Sequence, residues 1–120
     1  MALDPTITNP GYLLGRLFAV LEKAQQYAVP EASTTIKDRF FGSASATPRS
    51  VFPQLIRLAQ HHIAKAEYGR FTDKLIEEII AGIQEFPAHL ALEDQGLFAI
   101  GYYHQRRAFK RAQTSASQEQ

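Results

Sequence analysis

The sequence contains no cysteine, which excludes a disulfide framework, a thiolate metal site and a cysteine nucleophile. It has no apolar run near the ~20 residues that a membrane-spanning helix needs. Its first residues also lack the basic start and apolar core of a signal peptide. We therefore expect a soluble cytoplasmic protein without disulfides.

Motifs of the common catalytic sites are missing as well. His61 and His62 are adjacent and lack the H-E-x-x-H spacing of a zinc hydrolase, and neither a phosphate-binding P-loop nor a G-x-S-x-G elbow is present. Glu77 and Glu78 are neighbours, so on a helix they point in different directions and form no acid–base pair. We expect a protein that is not an enzyme and holds no metal ion or cofactor; a hydrolase using one of the two histidines is the disfavoured alternative.

What the chain does have is helical periodicity. Its 120 residues, 45% hydrophobic and 21% charged, are typical of one globular domain. Apolar residues recur three and four positions apart, and no strand pattern competes with them. The sequence predicts an all-α protein, a compact bundle of about five helices over residues 1–113 with short loops, followed by a disordered polar tail over 114–120.

Capping residues and helix breakers set the predicted helix ends. Asn9 and Pro10 predict the start of the first helix, which runs to about Ala28. A fourth helix begins at Thr72 and includes Ile83. The fifth is predicted from about Leu90 to Ala112, and a short second helix ends at Phe41.

The stretch GSASATP, residues 42–48, is predicted to be a loop, since small hydroxyl residues and glycine favour local turns. Either Thr47 or Ser50 can cap the third helix that follows. Ser50 is preferred because it places Pro53 in the first turn, where a missing N–H group is tolerated.

The charges are segregated along the chain. Net charge is +1, yet the stretch from Lys37 to Arg70 is mainly basic, Asp73 to Asp94 is mainly acidic, and Arg106 to Arg111 carries only bases. Such a division predicts two faces with different partners, one of them anionic. The alternative is the uneven scatter of charge found on many helical proteins.

A basic ridge is predicted on the third helix. Gln54, Arg57, His61 and Lys65 are three and four residues apart, so they form one stripe. Cations in such a row can follow a phosphate backbone. Taken alone, the stripe is better explained as a solvated helix face.

A second stripe is predicted on the last helix, formed by Tyr103, Arg106, Arg107 and Lys110. An aromatic ring among cations favours single-stranded nucleic acid, because bases stack on the ring while the cations meet phosphates. An alternative of equal weight is that Tyr103 lies at the edge of the core and the arginines pair with acids of the fourth helix.

The predicted loop 42–48 is itself a candidate phosphate cradle, because small residues let backbone N–H groups approach an anion. Lys37, Arg39 and Arg49 flank it. As an isolated feature, such a stretch is more often an ordinary linker between helices.

Four strings together resemble the C-terminal region of the large subunit of the type I-C CRISPR Cascade complex. They are Gly11–Lys23 (GYLLGRLFAVLEK), Ile36–Pro53 (IKDRFFGSASATPRSVFP), Leu55–His62 (LIRLAQHH) and Glu93–Ala108 (EDQGLFAIGYYHQRRA). In systems of this type that region is also made separately, by internal translation initiation. Since this sequence begins with its own methionine, the resemblance implies the small subunit and not a truncated large one.

The resemblance implies a helical bundle that is present in more than one copy along the belly of the crRNA-guided complex. There it would brace its neighbours and hold the R-loop open through DNA-backbone contacts, while the guide reads sequence. The implied partners are the large subunit, the backbone subunits, further copies of itself, crRNA and target DNA, with a nuclease-helicase recruited by the whole complex. No membrane and no small-molecule substrate is implied.

The residues proposed for nucleic-acid contact come from spacing and charge alone. They are Lys37, Arg39, Arg49, Arg57, His61, Lys65, Arg106, Arg107 and Lys110. A purely structural protein-interaction module, with bases that bind acidic protein surfaces, is the alternative function.

Overall fold

The computed structural model describes residues 3–4, 6–28, 36–63 and 69–118. Its elements are five helices: α1 (Pro10–Ala28), α2 (Ile36–Ala46), α3 (Pro48–Ile63), α4 (Gly69–Ala81) and α5 (Leu92–Gln118). The part of the chain so described contains no strand, and the predicted all-α bundle is confirmed. None of these helices combines the length and apolar character needed to cross a membrane.

Helix α1 is the centre of the bundle. Every residue from Gly11 to Glu22 is buried, and α1 contacts all four other helices. A helix that is apolar on nearly every side belongs inside a protein, because any exposed face would leave apolar area in water. Asn9 caps it as predicted, with Oδ1 accepting from the Gly11 amide at 2.8 Å.

Glycines bring α1 and α5 into backbone contact. A Cβ atom added at Gly15 would overlap the carbonyl oxygen of Phe98, and one added at Gly101 would overlap that of Tyr12. Gly11 faces the Asp94 carbonyl in the same way. From Gly11 to Gly15 the facing residue advances from Asp94 to Phe98, so the two helices run in the same direction.

Polar pairs are buried beside this contact. The Arg16 Nε donates to Gln105 Oε1 at 3.0 Å, and the Tyr102 hydroxyl donates to Glu22 Oε1 at 2.6 Å. Burial lowers the pKa of Arg16 below its ordinary value. Each buried charged group thus has a neutral hydrogen-bonding partner on the facing helix, as burial requires.

An aromatic cluster fills the core around α1. Phe18 lies edge-on to Phe41, Phe52 and Tyr102, with ring centroids 5.6, 6.4 and 5.8 Å apart. Phe52 also stacks on Phe86 at 5.5 Å. Edge-to-face pairs of this kind add to the stability that area burial provides.

The stretch predicted as a loop is instead helical. Helix α2 continues through Gly42 to Ala46, so only Thr47 separates it from α3. The Ser45 hydroxyl donates back to the Gly42 carbonyl at 3.0 Å, which satisfies it within the helix. Ala44 is fully buried, so packing of small side chains against the core outweighs the local preference for a turn.

The start of α3 was also predicted wrongly. The helix begins at Pro48 and not at Ser50, and Pro53 lies inside it. Proline at the first position is pre-organised for a helix, and the Arg49 amide donates to the Pro87 carbonyl at 3.0 Å. A partner from the segment before α5 thus satisfies an amide that a helix start leaves unpaired.

The remaining ends differ by a few residues from the predicted ones. Helix α4 begins at Gly69, ahead of Thr72, and ends at Ala81. Helix α5 begins at Leu92 and continues past the predicted end, to Gln118. The predicted division between a folded domain over 1–113 and a disordered tail stays a prediction.

Replacing Gly15 by alanine should destabilise the protein by about 3 kcal/mol or more, because the new methyl group meets backbone that cannot move aside. The control is Gly42→Ala, at an exposed helical position where an added Cβ has nothing within 4 Å. That change should stabilise by up to about 1 kcal/mol, the helix-propensity difference. Urea unfolding measures both; equal stability of Gly15→Ala and the wild type would contradict the close α1–α5 contact.

Candidate nucleic-acid interface

The stripe predicted on the last helix lines a groove. Tyr103, Arg106, Arg107 and Lys110 line one wall of an open depression of about 500 Å³. Tyr103, Arg107 and Lys110 are exposed, and Arg106 is half-buried. Because these residues lie one and two turns apart on the same helix, the groove presents three cations and one ring on a single side of α5.

Lys37 of α2 lies beside this groove, in contact with Tyr103. Its ammonium group donates to the Tyr103 hydroxyl at 3.3 Å and lies 5.4 Å from the Tyr103 ring centroid. The Tyr102 centroid is at 5.6 Å. The hydrogen bond and the approach to the two rings hold the Lys37 ammonium beside Tyr103, where it adds a positive charge next to the groove.

Tyr102 supports the groove from below. It is fully buried, and its ring meets Tyr103 edge-on at 5.0 Å. Burial raises the pKa of the Tyr102 hydroxyl, and its hydrogen bond to Glu22 raises it further. The hydroxyl therefore stays protonated and keeps donating to Glu22. This hydrogen bond fixes the Tyr102 ring, against which the Tyr103 ring packs.

The alternative in which the α5 bases pair with acids of α4 is not what the structure shows. Within the described residues, α4 and α5 do not contact each other, and neither arginine of the groove nor Lys110 forms a salt bridge there. The exposed acids of α4, Asp73 and Glu77 among them, belong to a separate face.

Other predicted bases lie elsewhere. Arg49 pairs with Glu85 at 2.8 Å and donates to the Phe86 carbonyl at 3.0 Å, which turns it toward the segment before α5. The Arg39 guanidinium lies 5.1 Å from the Phe40 ring centroid. The phosphate cradle considered at 42–48 is not formed, because residues 42–46 are helical and a helix uses its amides for its own bonds.

The ridge predicted on α3 is only partly described. Arg57 and Gln54 are exposed on this helix. The side chain of His61 and the whole of Lys65 lie outside the described residues. Nucleic-acid contact by this ridge stays a prediction.

Comparison with known proteins identifies the family. The family described as CRISPR-associated protein (Cas_Csd1) matches residues 1–110. The chain belongs to this family. No curated protein matches it. Membership makes the chain a CRISPR-associated, Cascade-type subunit.

Metal chemistry finds no support among the described residues, where no three His, Asp or Glu side chains are grouped to hold an ion. His104, the histidine nearest the groove in sequence, is instead hydrogen-bonded through Nδ1 to the Tyr12 hydroxyl at 2.8 Å. The absence of catalysis remains a prediction for this Cas_Csd1 member.

The raised pKa of Tyr102 predicts a pH dependence of stability. A hydroxyl with a higher pKa in the folded state favours folding below its unfolded value of about 10, and this contribution diminishes as pH rises past that value. Wild type should therefore lose more stability than Tyr102→Phe between about pH 9 and pH 11, measured by urea unfolding. Parallel losses in both proteins would contradict the role given to Tyr102.

Proposed function

We propose that this chain is the non-catalytic small subunit of a crRNA-guided type I-C effector complex, made separately from the large subunit by internal translation. It acts in the cytoplasm, where its groove holds nucleic-acid backbone and stabilises the R-loop. The groove of Tyr103, Arg106, Arg107 and Lys110 is the observation that carries this proposal. Family membership supplies the CRISPR context.

The groove has the chemistry of a backbone site and not of a base-reading site. Guanidinium and ammonium groups bind phosphate oxygens in any sequence. Tyr103 is 47% exposed, and a base of any identity can stack on the exposed part of its ring. Sequence-independent binding suits a complex in which the guide RNA reads the target.

The groove of a single chain contacts only a short stretch of nucleic acid. Tyr103 and Lys110 are seven residues apart, ~10 Å along a helix, so the groove spans few nucleotides. Binding along an R-loop then needs further copies of the chain or neighbouring subunits, whose contacts add through avidity.

The acidic face of α4 suits a different kind of neighbour. Asp73, Glu77 and Glu78 are all exposed on it, and repulsion keeps such a face away from phosphate. It is complementary to a basic protein surface. The large subunit and the backbone subunits are the partners that we propose for bracing contacts.

The test is R-loop formation by the reconstituted complex with Arg107→Ala/Lys110→Ala. Both side chains are exposed, so the fold should be unaffected. Removing one cation from the phosphates of a single strand reduces the slope of log affinity against log salt by about 0.7, so the pair reduces it by about 1.4. The yield of R-loops at physiological salt should also fall.

Lys74→Ala is the control, since it removes an exposed cation from α4, away from the groove, and should leave the slope unchanged. Arg57→Ala in a parallel arm tests the α3 ridge. An unchanged slope and yield in Arg107→Ala/Lys110→Ala would favour the alternative function, a protein-interaction module that touches no nucleic acid.

A further inference from the structure

The ring of Tyr103 is held at its oxygen end by a residue of another helix. The Lys37 ammonium donates to the Tyr103 hydroxyl at 3.3 Å, whereas it lies 5.4 Å from the centre of that ring. Because Nζ is much nearer to the hydroxyl oxygen than to the ring centre, the ammonium lies at the oxygen end of the ring. It therefore covers neither face of the Tyr103 ring.

A second neighbour limits the same ring from the side. The Tyr102 ring meets it at 78° with centroids 5.0 Å apart. Tyr102 is fully buried and is itself fixed by its 2.6 Å hydrogen bond to Glu22. Tyr103 is nevertheless 47% exposed. A ring that is exposed but already held by two neighbours loses less freedom when a ligand packs on it.

Lys37 is anchored independently of any ligand. It follows Ile36, which is buried and whose amide donates to Gln25 Oε1 of α1 at 3.0 Å. The start of α2 is thus tied to the central helix of the bundle. Lys37 is half-buried, whereas Arg107 and Lys110 are exposed. The position of its ammonium is therefore set by the fold.

We propose that Lys37 is a positioning residue of the groove, which holds the Tyr103 ring through its hydroxyl so that one unpaired base can stack on it. Arg107 and Lys110 bind the neighbouring phosphates. The inference rests on the proposed function and adds to it the chemistry of the ligand. That ligand is a single strand, since the bases of a duplex already stack on one another and leave no face for the ring.

The test measures binding of the full chain at low salt to two single-stranded oligonucleotides of equal length, by fluorescence anisotropy. One is oligothymidylate, and the other is abasic, so that it keeps the phosphates without the bases. Lys37→Met retains a long side chain and loses the donor. It should bind oligothymidylate about threefold or more weakly, and the abasic strand no more weakly than Lys74→Met does. Lys74→Met is the matched control, because it removes an exposed cation from α4.

A double-mutant cycle separates positioning from direct phosphate binding. Tyr103→Phe keeps the ring and the charge of Lys37 but removes the acceptor, so it should also weaken binding to oligothymidylate. In that background Lys37→Met should cause no further loss, because the hydrogen bond through which it acts is already absent. A loss that persists there, or an equal loss on the abasic strand, would show that Lys37 binds phosphate itself and would overturn the proposal.

Arg107→Ala/Lys110→Ala tests the proposed function in the same assay, and it should weaken binding to both strands. If it weakens both while Lys37→Met and Tyr103→Phe bind like the wild type, the positioning role alone is wrong. If it binds both strands as the wild type does, or if the wild type binds neither strand, the proposed function fails and the positioning role fails with it.

Discussion

The backbone contact between α1 and α5 is the constraint on which the rest of the structure depends. Gly15 and Gly101 leave room only for the opposing carbonyl groups, so the two helices cannot shift or rotate against each other without a collision. This contact sets the alignment at which Arg16 reaches Gln105 and Glu22 reaches Tyr102. A displaced helix would leave those buried charged groups unpaired, at a cost of roughly 1–3 kcal/mol each.

The same contact decides which side of α5 faces outward. With Phe98 and Tyr102 turned into the core, Tyr103 lies outside the buried side of α5 and is exposed. The groove is thus a consequence of core packing. Lys37 reaches it because Phe41, one turn later in α2, packs against Tyr102 at 5.2 Å.

Parts of the fold and of the candidate site could be predicted because they depend on a single helix. The cap at Asn9 is local, and so is the row of bases on α5. The prediction of a loop at 42–48 was wrong because turn preferences take no account of the burial of Ala44. The prediction that α3 begins at Ser50 was wrong because Pro87, whose carbonyl accepts from an amide at the helix start, lies far away in sequence. Leu58 has helical spacing typical of the core, yet it is 47% exposed, since helical period does not say how far a neighbouring helix extends.

By itself, the sequence determined the helical class, the α1 start and the order of ring and cations on α5, because spacing along one helix is enough to place residues on one side. Only the tertiary structure decided that Lys37 contacts Tyr103 of this row while Arg49 pairs with Glu85. It also decided that Gly101 is enclosed and Gly96 open, although both are glycines of one helix. The physical reason is that contact between helices depends on their relative rotation and distance, and these follow from packing of residues remote in sequence.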